Sequence, residues 1–323
     1  MGQGGSCPPP PPIPRTFSVQ RYLMGALGKI ILRAMNELNK SPRRPWLSTA
    51  LWFLAVFLML ASAVHQRRTG PSYPLRGEFQ VGGETYAHRL VRTHETTGAA
   101  VVTVPRPRGV EGGRLYVKRY PSADAFAPTP LEAREDELLG VLPQERAAGK
   151  LEYFLVLEGP EGSVTVPEEE TAILRYKDPV PASILVPHIF LMFFAMLIGV
   201  RTALGALVHP VGIRKWAWIT LGLMTAGGMI LGPIVQKYAF GAYWTGWPLG
   251  TDLTDNKTLV MWLAWVAAVL ILWKRPAPGD WAGRGAVLLA TSVMMVVYLI
   301  PHSVRGSELD WSETEEERTL EVP

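Results

Sequence analysis

Five stretches of the chain are apolar all round rather than along one face: Trp46 to Val64, Ile184 to Val200, Trp216 to Val235, Thr258 to Trp273 and Ala286 to Ile300. A helix that crosses a bilayer needs about 20 mostly apolar residues, because the hydrocarbon core is roughly 30 Å thick. The last two stretches are the shortest, and they depend on the basic residues beside them, Lys274, Arg275 and Arg284. Arg201 ends the second stretch on this reading, and Arg214 and Lys215 open the third.

Between the first two stretches the period changes from helical to strand-like. Leu151, Tyr153, Leu155 and Leu157 alternate with Glu152, Phe154 and Val156, which gives a strand one strongly apolar face. Further strands are predicted at Gly77 to Val81, Thr85 to Val91, Ala99 to Val104, Arg114 to Tyr120, Glu137 to Leu142, Lys150 to Leu157, Ser163 to Val166 and Ala172 to Tyr176. Gly82-Gly83, Gly112-Gly113 and Pro160-Glu161-Gly162 supply the turns.

The expected architecture is therefore a membrane α-helical bundle of about five transmembrane helices with an inserted all-β, immunoglobulin-like sandwich domain. Its parts are a cytoplasmic tail over 1–45, a first transmembrane helix over 46–64, an extracytoplasmic sandwich over 65–183, a four-helix transmembrane region over 184–301 and an acidic extracytoplasmic tail over 302–323. Orientation follows from the basic residues, which concentrate on the cytoplasmic side of membrane proteins. Lys29, Arg33, Lys40, Arg43 and Arg44 precede the first helix, whereas Glu308, Asp310, Glu313 and Glu315 follow the last. Arg67 and Arg68 alone run against that order.

The first 45 residues divide in two. Pro8 to Pro12 stays extended, and Phe17 to Leu38 is a basic amphipathic pattern suited to the inner leaflet. Met35 is an alternative start for a signal-anchor, and Met1 to Cys7 matches a loose myristoylation pattern.

Composition narrows the function. With 48% hydrophobic and 19% charged residues and a net charge of +4, the chain has the makeup of a membrane protein with the lipid bilayer as its surroundings, and no nucleic-acid partner is expected. One cysteine, Cys7, excludes an intrachain disulfide and a thiolate zinc cluster. No Asp, Glu, Lys or Arg falls centrally in the five apolar stretches, which argues against ion-coupled transport. The 65–183 region shows no nucleophile elbow, phosphate loop or dinucleotide fingerprint, so no catalytic residues are predicted. His88 and His94, with Glu84 and Glu95 nearby, fit no metal-ligand template and are expected to be solvated.

Candidate chemistry collects at the outer rim. His188 follows Pro187 near the start of the second apolar stretch, and His302 follows Pro301 at the end of the fifth. Between the third and fourth stretches lies Tyr238 to Lys257, which contains Trp244, Trp247, Asp252 and Asp255. Interfacial Trp and Tyr belong to most membrane proteins, and Asp252 and Asp255 suit the first turn of a helix. Gly228 to Gly232 followed by Pro233 predicts a close helix contact with a bend.

The run Gly241-Ala242-Tyr243-Trp244-Thr245-Gly246-Trp247, followed by Asp252-Leu253-Thr254, resembles the tryptophan-rich external loop of the haem-handling membrane proteins of cytochrome c maturation. In that family external histidines ligate haem iron while the tryptophan loop contacts the porphyrin. The resemblance implies haem b as cofactor, with His188 and His302 as metal ligands and Trp244, Trp247 and Asp252 as loop contacts. Lys237, Lys257 or Arg305 would meet the propionates. In this chain Pro248 to Thr251 separate the second tryptophan from Asp252. The expected function is haem binding or handling at the outer face of the bacterial inner membrane, in cytochrome assembly or respiration. The alternative is a non-catalytic scaffold or assembly subunit whose sandwich binds another envelope protein.

Overall fold

The computed structural model describes residues 45–159, 162–208, 212–274, 280–300, 309 and 311. The proline run, the amphipathic stretch and the Met1 to Cys7 pattern lie outside the described residues, as does His302. Among the described residues six α-helices and one π-helical segment form: α1 (Pro45–Thr69), α2 (Ala182–Val208), α3 (Ile213–Met224), the π segment (Thr225–Leu231), α4 (Gly232–Phe240), α5 (Leu253–Lys274) and α6 (Trp281–Leu299). Since α3, the π segment and α4 run on as one span, five helical spans are long and apolar enough to cross a membrane.

Each of the five apolar stretches becomes one of these spans. Arg201, however, does not stop α2, which continues to Val208. Its guanidinium lies 5.4 Å from the Trp52 ring centre, an aromatic face that tolerates a cation at this depth. The last carbonyls of α2 are met from outside the helix. Arg284 donates through Nε to the Ala206 carbonyl at 2.6 Å and through Nη2 to the Leu207 carbonyl at 2.9 Å. A cation at a helix C-terminus also suits the helix dipole.

Small residues bring the helices together. Ala195, Gly199, Ala203 and Ala206 of α2 are buried with Ala217 of α3, Trp265 and Ala268 of α5 and Ala290 and Met294 of α6. At Gly199 a Cβ would stand 2.6 Å from Met294 Cε and 3.0 Å from Trp265 Cζ2, so a larger residue would displace the Met294 methyl and crowd the indole. Threonines satisfy themselves by back-bonding, as Thr202 does to the Ile198 carbonyl at 2.6 Å and Thr220 to the Trp216 carbonyl at 2.9 Å. The exposed surface of α1 is apolar at Phe53, Phe57 and Leu60, which suits contact with lipid.

Between α1 and α2 eleven strands form three sheets: β1 (Leu75–Val81), β2 (Glu84–Leu90), β3 (Thr93–Glu95), β4 (Ala100–Pro105), β5 (Gly112–Arg119), β6 (Ala127–Pro130), β7 (Glu132–Ala133), β8 (Glu137–Leu142), β9 (Lys150–Gly159), β10 (Gly162–Val166) and β11 (Ala172–Lys177). β1 and β2 make a hairpin whose turn residues Gly82 and Gly83 both have positive φ, 58° and 78°. That is the conformation a two-residue turn needs to match strand twist. The six-stranded sheet runs β3-β11-β9-β5-β6 with β10 paired to β9, and the three-stranded sheet runs β4-β8-β7. None of them closes on itself, and all face one core: Phe79 and Leu90 from the hairpin, Leu115, Leu155 and Leu174 from the large sheet, and Val102 and Leu138 from the small one.

All eight predicted strands form, and three more appear that the alternation does not signal. β3 and β7 are too short for a period, and β6 is entirely exposed. Strand β11 leads straight to α2. At this junction the Asp178 N–H donates to the Ala239 carbonyl at 3.0 Å, and the Arg175 guanidinium stacks on Phe240, 3.9 Å from its ring centre. The strand domain is thereby fixed to the end of α4.

Candidate functional site

The loop between α4 and α5 is ordered by side chains of the helix that follows it. Asp252 stands just before α5, and its Oδ1 accepts the N–H groups of Thr254 at 2.7 Å and Asp255 at 3.2 Å. These are donors that a helix start leaves without intrahelical partners. The first-turn Asp255 reaches back instead: its Oδ2 accepts the Thr245 N–H at 2.6 Å and the Gly246 N–H at 3.0 Å. Asn256 Oδ1 takes the next one, the Trp247 N–H, at 2.6 Å. The Gln236 amide of α4 donates to Thr245 Oγ1 at 2.7 Å, and the Asp252 N–H closes the loop onto the Thr245 carbonyl at 2.9 Å.

Gly246 is required by this packing. A Cβ there would sit 2.6 Å from Asp255 Cβ and 2.9 Å from Asn256 Oδ1. Trp244 turns inward and its indole donates to the Trp247 carbonyl at 3.0 Å, whereas Trp247 is 68% and Leu249 77% exposed. The loop thus presents Trp247, Leu249 and the exposed Tyr243 on a frame held by its own backbone.

His188 lies in the second turn of α2, beside the π segment. Its Nδ1 is 2.9 Å from the Gly227 carbonyl oxygen, which can only accept, so Nδ1 carries the proton and Nε2 carries the lone pair. The same carbonyl receives the Gly232 N–H in the wider π register. The π segment departs from the regular helix where glycines let α2 come close: a Cβ at Gly227 would stand 2.8 Å from Leu191 Cβ. The predicted close contact at Gly228 is present too, against Thr258 Cγ2 at 3.1 Å from a Cβ position. Gly232, 3.8 Å by the same measure from His188 Cε1, begins α4, and Gln236 follows one turn later. His188 and the loop are therefore linked through α4.

The remaining predicted residues take separate roles. Asp252 is buried and caps α5, the structural role open to it from sequence. Lys237 donates to the Gly241 carbonyl at 2.5 Å, and Lys257 to the Ile300 carbonyl at 3.3 Å, which holds the end of α6 beside the start of α5. Tyr298 of α6 donates to the Met192 carbonyl at 3.1 Å, one turn beyond His188. His302 and Arg305 lie outside the described residues. Among the described residues no group of three or more His, Cys, Asp or Glu is placed to hold a metal ion.

Sequence reasoning missed the roles of Asn256, Gln236 and the Gly227 carbonyl. For Asn256 a signal existed: Asp255-Asn256 in the first turn after a glycine-rich loop offers two acceptors to backbone N–H groups. For the carbonyl there was none, because the π register is not written in residue types. His88 corrects the expectation of a solvated pair. It is only 5% exposed, packed where Gly77 leaves room across the hairpin, and its Nδ1 has no hydrogen-bond partner among the described residues. His94 is half-buried, edge-on to Tyr176 at 5.9 Å. No protein-family model matches this chain, and no curated protein does either.

Proposed function

We propose that this is an integral membrane protein of the bacterial envelope that holds haem b at the loop-bearing end of its helices, with His188 as an iron ligand. The observation that carries this reading is the hydrogen bond from His188 Nδ1 to the Gly227 carbonyl. Metal-ligating histidines donate their other ring N–H to a carbonyl or carboxylate, which fixes the tautomer and makes the ligating nitrogen more basic. The exposed indole of Trp247 fits an apolar porphyrin face. Trp244 and Asp252 shape the loop rather than meet the ligand on this reading, and His302 would be the second residue to hold the iron. Bound haem would supply one-electron chemistry or be handed on. The protein's part is to ligate the iron and shelter the ring.

The strand domain is read as an immunoglobulin-like sandwich on the outer face of the inner membrane. The acidic tail is read on the same side, which the hydrogen bond from Trp311 to the Tyr120 carbonyl supports. The test is an absorption spectrum of the detergent-purified protein, oxidised and dithionite-reduced, from cells supplied with a haem precursor. A Soret band with sharp reduced bands that vanish in His188→Ala, with membrane insertion intact, is the expected result. A featureless wild-type spectrum, or one unchanged in His188→Ala, overturns it.

A scaffold role is the second reading, favoured by the outer face of the three-stranded sheet. Val101 and Val141 are direct cross-strand partners there and are 47% and 52% exposed. Here His188→Ala has no effect on activity in cells, and Val141→Glu abolishes assembly with an envelope partner.

A further inference from the structure

After α6 the chain returns to the strand domain. Trp311 is 7% exposed, its indole donates to the Tyr120 carbonyl at 3.1 Å, and the Arg119 guanidinium lies 5.3 Å from its ring centre. Two residues earlier, Leu309 Cδ1 stands 3.5 Å from where a Gly149 Cβ would be. A buried tryptophan with its N–H satisfied and a cation over its ring is an anchor of the kind found at the centres of protein interfaces.

The receiving surface is preset and of mixed charge: Glu145 and Arg146 both line the cleft that Leu309 enters. Arg119 is held by Asp124 at 2.6 Å, so its fork is fixed before any segment arrives. Lys150, whose carbonyl accepts the Tyr120 N–H at 2.9 Å, and its cross-strand partner Arg175 are both buried, so the floor of this surface is rigid. The segment is acidic and apolar by turns, Glu308-Leu309-Asp310-Trp311. Leu309 and Trp311 are the two side chains seen to meet the surface, at Gly149 and at Tyr120.

Leu309 also forms one wall of an open cleft of about 730 Å³ whose other walls include Thr96, Gln144, Arg146, Asp178 and Phe240. In it the Thr96 hydroxyl donates to Asp178 and the Gln144 amide to the Thr96 carbonyl. The cleft stands where the strand domain meets the end of α4.

We infer that the strand domain carries a peptide-docking surface, centred on Arg119, Tyr120 and Gly149, whose resident ligand is the chain's own Leu309 and Trp311. Seating of these two residues places Leu309 in the wall of the cleft. The inference rests on no part of the haem reading.

The test uses the full chain in detergent micelles and a fluorescent synthetic peptide of residues 306–314. The Leu309→Ala, Trp311→Ala double variant leaves the surface empty and binds the peptide. A peptide with the same two substitutions binds about 30-fold more weakly, as loss of a buried aromatic anchor predicts. In the wild-type protein a glutamate-specific protease cuts slowly after Glu308, and excess unlabelled peptide speeds that cut by displacing the resident segment. Failure of the double variant to bind the peptide, or of excess peptide to speed the wild-type cut, overturns the proposal. The wild-type arm decides alone if the double variant does not fold.

Discussion

On β9, Leu151, Tyr153, Leu155 and Leu157 turn into the core, while the strand's backbone groups pair with β5, β10 and β11. In the loop 241–252 the backbone N–H groups of Thr245, Gly246 and Trp247 end on the carboxylate of Asp255 and the amide of Asn256, and Tyr243, Trp247 and Leu249 point outward. Apolar burial rigidifies the first region and spends its largest side chains in doing so, with Glu152, Phe154 and Val156 half-buried on the other face. Polar burial rigidifies the second and frees its aromatic side chains for contact with something else. The difference teaches where binding chemistry can be displayed without loosening the fold: on the region whose order does not depend on its large side chains.

The comparison breaks most visibly at Leu155. Leu155→Ala removes a fully buried side chain and lowers stability by about 2–5 kcal/mol, since the surrounding sheets collapse only partly into the cavity. Chemical denaturation of the solubilised protein measures this, and hydrogen exchange at Thr245 and Gly246 stays at its wild-type rate. The reverse experiment is Asp255→Ala, which leaves the part-buried Thr245 N–H and the buried Gly246 N–H without their acceptor at about 2–4 kcal/mol. There the loop amides lose protection while those of β9 keep theirs. If both substitutions raise exchange in both regions, the two are one cooperative unit and the contrast fails.

A smaller change sharpens the same point. Gly246→Ala forces Asp255 or Asn256 to give way to the new Cβ, at about 1–3 kcal/mol. Trp247→Ala, although the side chain is far larger, changes stability by less than about 0.5 kcal/mol because it is exposed. Thermal unfolding of the two variants side by side ranks them, and a larger loss at Trp247 shows that the indole braces the loop.

These mechanisms also explain what could be read in advance. All five spans and eight strands were legible because burial of apolar residues imprints a period or an unbroken run on the sequence, as on β9. The extent of α2 was not, because Arg201 is accommodated by Trp52, a contact between helices far apart in sequence. Within the candidate site, His188 and the tryptophan loop could be picked out by residue type. The carbonyl that orients His188 could not, since it belongs to a π register, and Asp252 could be read as a cap or as a ligand contact until its hydrogen bonds were seen.

The hairpin β1–β2 holds the finest test, because its core contains a titratable group. His88 packs beside Phe79, 6.5 Å between ring centres, with Gly77 directly across the strand pair. Burial pushes its pKa below the ordinary 6.5, and a backbone hydrogen bond at Leu75 opposes this to a lesser degree. The charged neighbours along the same cleft, Arg76, Glu78 and Arg89, mix signs and do not appear among the causes of the shift. A lowered folded pKa means that the unfolded chain binds more protons than the folded one once pH drops below about 6.5, so stability rises with pH across that window. Stability present above the free-imidazole pKa is therefore lost as pH falls toward and through the folded value. Melting temperatures recorded from about pH 7.5 down to about pH 5.5 should fall, and His88→Gln should flatten that slope by removing the proton-binding site. The loop hydrogen bonds to Asp255 and Asn256 need no imidazole, so exchange at Gly246 should not follow the same curve. An identical slope in His88→Gln would assign the acid sensitivity elsewhere and leave the buried imidazole as a packing residue only.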